Sequence, residues 1–94
     1  MIPKSDTIIE LSGKHQATLE AIFATPVRAS IAWSDIESLF RSCGAEISEG
    51  NGSRVRVALN GVRAVFHRPH PQKETGKGAV KSVRRFLTES GIEP

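Results

Sequence analysis

Ninety-four residues, 38% hydrophobic and 24% charged, make one domain with one modest core. The single cysteine, Cys43, excludes an internal disulfide framework and a Cys-rich zinc site. No apolar run approaches the ~20 residues of a membrane span, and the first residues lack the regions of a signal peptide, so no membrane and a cytoplasmic location are expected.

Residues 1–13 show no clear periodicity and read as a tail or a loose first segment. From Lys14 to Ala24 a short helix is expected, with Leu19, Ile22 and Phe23 on one side. Thr25-Pro26 stops it, because the residue before a proline avoids helical backbone angles. The next helix is better marked. Ser34 and Glu37 have the spacing of a capping box, and Ile36, Leu39, Phe40 and Cys43 follow as an apolar stripe. Trp33 precedes the cap as a packing residue placed to staple onto that stripe. Gly44 suits the left-handed position that ends a helix. A short strand over Ala45–Ser48 follows.

Ser53–Leu59 and Val62–His67 flank Asn60-Gly61, the preferred pair for a two-residue type I′ turn. The turn fixes the register, with Leu59 opposite Val62, Val57 opposite Ala64 and Val55 opposite Phe66. These six apolar positions face the core. The other face is solvated and basic. It sets Ala58 opposite Arg63, Arg56 opposite Val65, and Arg54 directly across from His67. Arg68-Pro69-His70-Pro71 leaves the sheet, because two prolines cannot sustain a ladder. A final helix over Lys77–Ser90 buries Val80, Val83, Phe86 and Leu87 and ends at Gly91. The sum is an α+β domain with its helices on one sheet face.

Charge is segregated along this chain. Residues 54–85 hold nine of the thirteen Lys/Arg and one acid, Glu74, a local charge of +8 against +3 overall. Such a surface attracts a polyanion, and nucleic acid is the commonest one for a soluble protein. Arg54, Arg56, Arg63, Lys73, Lys77, Lys81 and Arg84 form the expected phosphate-binding set. Any one of them alone reads as a solvated charge. Aromatic interleaving is poor, so base stacking is not expected. His67 and His70 lie inside the basic stretch, and imidazole suits proton transfer near neutral pH. Without other support His67 reads as a surface histidine. For His70, a turn-fixing role and a catalytic role stand level. His67-x-x-His70 does not complete a metal site. His15 reads as a surface residue, Cys43 as a buried small hydrophobe, and Gly76-Lys77-Gly78 is too short for a P-loop.

From Trp33 to Glu93 the chain resembles the HicA family of toxins from bacterial toxin–antitoxin pairs. The resemblance rests on the capped helix ending at Gly44, on Gly52-Ser53, and on Pro69-His70-Pro71-Gln72-Lys73-Glu74 followed by Lys77-Gly78 and a helix closing at Ser90-Gly91-Ile92. It implies a fold like a double-stranded-RNA-binding domain, α-β-β-β-α, in residues 33–94, with residues 1–32 as an extension bearing an extra helix. It also implies an endoribonuclease that cuts mRNA, an interacting HicB-like antitoxin, and no metal or organic cofactor, with Ser53 beside the RNA. One position departs from the family. The histidine held to be catalytic follows the Gly-Ser pair, and here that residue is Arg54. Arginine does not act as a general base, though it stabilises a developing phosphorane charge. Two readings follow. In one, His67 supplies proton transfer and Arg54 the charge; in the other, the chain is an inactive RNA- or antitoxin-binding module.

Overall fold

A computed structural model describes residues 11–70 and 73–94; the rest of the expected tail, and Pro71 and Gln72 of the proline-rich run, lie outside the described residues. The first helix, α1, spans Gly13–Ile22, and Ser12 caps it by accepting the His15 backbone N–H at 3.3 Å. A two-residue strand β1 (Ile31–Ala32) leads into α2 (Trp33–Ser42). Then come β2 (Glu46–Glu49), β3 (Arg54–Leu59), β4 (Val62–His67), a two-residue β5 (Glu74–Thr75) and α3 (Lys77–Glu89). No helix among the described residues is long and apolar enough to cross a membrane.

Strands β2, β3 and β4 form an antiparallel sheet in that order. The β3–β4 register is the one that Asn60-Gly61 dictates, pair for pair from Leu59↔Val62 to Arg54↔His67. Both turn residues take positive φ, 51° and 84°, as a type I′ turn requires. Val55, Val57, Leu59 and Phe66 therefore point inward, against Ile36, Leu39 and Phe40 of α2 and Val80, Val83 and Leu87 of α3. Leu19 and Ile22 of α1 join the same core. Trp33, Phe40, Phe66 and Phe86 form an aromatic cluster, with ring centroids 5.5 to 6.4 Å apart. Helices cover one sheet face and leave the other to solvent. The succession α2-β2-β3-β4-α3 is the α-β-β-β-α arrangement of double-stranded-RNA-binding domains, with α1 added in front.

Three details differ from the sequence expectations. The capping box does not form. Helix α2 starts at Trp33, two residues early, and its cap position, Ala32, has no side-chain hydrogen bond. The Glu37 carboxylate turns instead to the Trp33 indole and to the Arg68 guanidinium, whose positive charge a backbone amide lacks. The antiparallel pairing of β1 with β5, Ile31↔Thr75 and Ala32↔Glu74, was not expected, since two residues carry no readable alternation. Strand β2 is shifted by one residue from Ala45–Ser48.

The Asn60 amide donates to the Ser90 carbonyl at 2.8 Å, so α3 ends beside the hairpin turn. At 1.5 Å per residue its thirteen residues run about 20 Å, and six strand residues cover about the same length. Helix α3 therefore has the length to reach the open end of the hairpin, where Arg54 faces His67.

Candidate nucleic-acid interface

The solvated sheet face is laid out by register. Glu46, Ala58 and Arg63 form one row across the three strands, and Ser48, Arg56 and Val65 the next. A shallow depression of about 700 Å³ lies over these two rows. Val65 is 58% exposed, an apolar side chain among arginines. Beyond it, Arg54 and His67 close the face at its open end. The Arg54 Nε–H donates to His67 Nε2 at 3.3 Å, and both side chains are exposed. The bond uses the lone pair of Nε2 and leaves Nδ1 out of the contact. The β2–β3 connection shapes the approach. Gly50 packs so tightly on Arg54 that a Cβ there would come within 3.1 Å of the Arg54 Cβ. The exposed Ser53 follows Gly52, whose φ of +61° suits glycine.

The basic stretch divides in three. Arg54, Arg56 and Arg63 stand exposed on the sheet face, and the Arg56 guanidinium also donates to the Glu49 carbonyl at 2.9 Å. Lys73, Lys77 and Lys81 are exposed along β5 and the first turns of α3. The remaining three are engaged within the fold. Arg85 pairs with Glu89 along α3. Arg84 belonged to the expected phosphate-binding set, but it is half-buried and donates to the carbonyls of Ile22 and Ala24 at 3.0 and 2.9 Å, with Phe23 beneath it. It ties down the end of α1, whose last carbonyls have no helical partner. Sequence reasoning missed this because nothing local signals a bond across sixty residues.

Arg68 is the third. Its guanidinium lies between two carboxylates. Nε and Nη2 donate to Glu37 at 2.6 and 3.3 Å, and Nη1 and Nη2 to Glu49 at 2.6 and 2.9 Å. Burial alone would raise the Glu37 carboxyl, but hydrogen bonds from Arg68 and Trp33, with the charges of Arg68 and Arg41, outweigh it and hold the pKa below the ordinary value. The Arg68 hydrogen bond likewise lowers Glu49. Both carboxyls therefore lose their protons in the folded state at a pH where the unfolded chain still holds them. The stability this contributes is complete above the ordinary carboxylate value and disappears as pH falls through the lowered folded values. Thermal unfolding is expected to show Tm falling below about pH 5, and the fall is expected to be shallower in Glu37→Gln.

His70 is exposed, and no described residue is hydrogen-bonded to it. His15, expected at the surface, is half-buried and bridges Ser12 Oγ and Ser38 Oγ at 3.2 and 3.1 Å, joining α1 to α2. Cys43 is buried, and burial pushes its thiol pKa up, the opposite of what a nucleophile needs. Among the described residues no three His, Cys, Asp or Glu side chains gather as a cation site would require.

The family described as the HicA toxin of bacterial toxin–antitoxin pairs matches residues 33–92. This chain belongs to the HicA toxin family. The match runs from the first residue of α2 to just beyond α3, so α1 and β1 fall outside it, while Arg54, His67, His70, Lys73 and Lys77 fall within. A HicA relative from Pseudomonas fluorescens (strain Pf0-1), named "Probable mRNA interferase HicA", is 36% identical over 55 residues, covering 58% of this chain and 90% of that protein. No solved structure matches the chain.

Proposed function

We propose that this HicA chain is the toxin of a toxin–antitoxin pair and acts in the cytoplasm as a metal-independent mRNA endoribonuclease, held in check by a HicB-like antitoxin. Residues 33–94 form the toxin domain and residues 1–32 an extension of it. One observation carries the reading: a hydrogen-bonded Arg54–His67 pair stands exposed on a basic sheet face. The name of the Pseudomonas relative supports RNA as the substrate. The sheet arginines, with Lys73 and Lys77, hold backbone phosphates and leave the bases unread.

The chemistry follows from the pair. In the free protein Arg54 occupies the lone pair of His67 Nε2. A phosphate oxygen is a charged acceptor and draws the guanidinium more strongly than a neutral ring nitrogen does. RNA binding therefore transfers Arg54 from His67 to the scissile phosphate and frees Nε2 at the same moment. His67 then takes the 2′-hydroxyl proton, the 2′-oxygen attacks phosphorus, and the P–O5′ bond breaks to leave a 2′,3′-cyclic phosphate. His70 returns a proton to the departing 5′-oxygen. Arg54 neutralises the charge that builds on the phosphorane.

The alternative is a module of the same fold that binds RNA or the antitoxin without cutting. The arginine at position 54, where the family has its catalytic histidine, favours it. Purified, partner-free protein incubated with an mRNA in EDTA separates the two. Discrete products ending in cyclic phosphate support the nuclease; binding without scission supports the module. Binding is expected to weaken steeply with salt. Arg56→Ala is expected to flatten the log–log salt slope by about 0.7, the share of one phosphate contact on a single strand.

A further inference from the structure

Two contacts fasten the chain on either side of His70 to the N-terminal half of α2, at Trp33 and Glu37. On one side, Arg68 places its Nε 2.6 Å from the Glu37 carboxylate. On the other, the Lys73 carbonyl accepts the Trp33 backbone N–H at 3.0 Å. Glu37 and Trp33 are themselves joined, since the indole N–H donates to the same carboxylate oxygen that Arg68 holds. Arg68 also prolongs the hairpin ladder by one bond past His67, its backbone N–H reaching the Ser53 carbonyl at 2.9 Å. His67 is thus flanked by strand pairing on one side and by an anchored guanidinium on the other.

The Glu37 side chain is only 9% exposed. Acids are seldom buried unless paired, and a buried ion pair is weak evidence for stability, because desolvation offsets most of the attraction. What such a pair does supply is direction. The Arg68 fork is engaged on both edges and meets Glu37 and Glu49 in one orientation. That orientation is passed to the backbone next to His67 and two residues before His70.

We infer that Glu37 and Arg68 are positioning residues, whose ion pair sets where His67 and His70 stand over the bound RNA. The inference rests on the ribonuclease reading above. Neither residue offers RNA a free donor: Glu37 is nearly buried, and Nε, Nη1 and Nη2 of Arg68 are all engaged by the two carboxylates. Their effect is on rate and not on affinity.

Glu37→Gln and Arg68→Lys test this, with Glu89→Gln as a surface control for the change of charge. RNA cleavage is measured as kcat and KM, and the three histidine ring resonances are followed by NMR in the RNA-free proteins. Arg68→Lys keeps the charge and loses the fork, so it carries the test if Glu37→Gln folds poorly. The expected result is a kcat lower by about 10- to 100-fold with KM nearly unchanged, the size of effect that a small displacement of a catalytic group produces. The ring signals of His67 and His70 move while those of His15 stay. A kcat equal to that of the parent overturns the inference, as does movement of all three histidines together, which would mark a general loosening of the fold. If the parent itself does not cut RNA, the ribonuclease reading fails, and the ring signals alone decide whether the brace exists: His67 and His70 moving without His15 supports it, and any other pattern overturns it.

Discussion

His67→Ala is expected to lower mRNA cleavage by about 10²- to 10⁴-fold, the range that general acid–base groups contribute, while leaving RNA affinity nearly unchanged. The side chain lies on the exposed end of β4, outside the core, so its removal is expected to have little effect on folding. Arg54→Ala is expected to differ in kind. It removes a phosphate ligand and the donor to His67 Nε2 together, so affinity and rate both fall. His70→Ala separates the remaining roles. A fall in kcat comparable to that of His67→Ala assigns His70 the leaving-group proton; full activity limits it to shaping its loop. If His67→Ala cleaves as fast as the parent, the assignment of proton transfer to His67 is wrong.

The largest stability effect is expected at the centre of the aromatic cluster. Phe40 is fully buried, and its ring meets Trp33, Phe66 and Phe86 at 6.4, 5.7 and 5.5 Å. It stands where α2 meets both the sheet and α3. Phe40→Ala leaves a cavity that three large rings cannot collapse to fill, at a cost of about 3–5 kcal/mol. Total stabilities of single domains are about 5–15 kcal/mol, so this loss is a large part of the whole. For a domain of this size Tm is expected to fall by about 15 °C or more. Val65→Thr on the exposed sheet face makes a fair control, expected to stay within about 0.5 kcal/mol of the parent. Calorimetry of the two variants decides the matter; a Phe40→Ala protein that melts with the parent would contradict the packing described.

The sequence was most legible where local chemistry leaves one solution. Asn60-Gly61 permits a type I′ turn, a two-residue turn permits one register, and the period of two then sends Val55, Val57 and Leu59 inward and Arg54 and Arg56 outward. The meeting of Arg54 with His67 follows from that register alone. Helices α2 and α3 were equally legible, because apolar stripes at helical spacing and glycines at positive φ after their ends are local signals.

What the sequence determined by itself is therefore the hairpin, the helices and the one-sided basic face, each set by interactions between residues near in the chain. Only the tertiary structure decided which cations remain available. Arg84 and Arg56 look alike in sequence, yet the first is engaged by carbonyls sixty residues away while the second stands on open sheet. Glu37 reads locally as a capping residue, and the fold makes it the anchor of Arg68 and Trp33 instead. The β1–β5 pairing likewise exists only because the fold brings Ile31 beside Thr75. The physical reason is common to all three. A long polar side chain, or a two-residue strand, takes whichever partner the packed core places within reach, and no sequence spacing records which one that is.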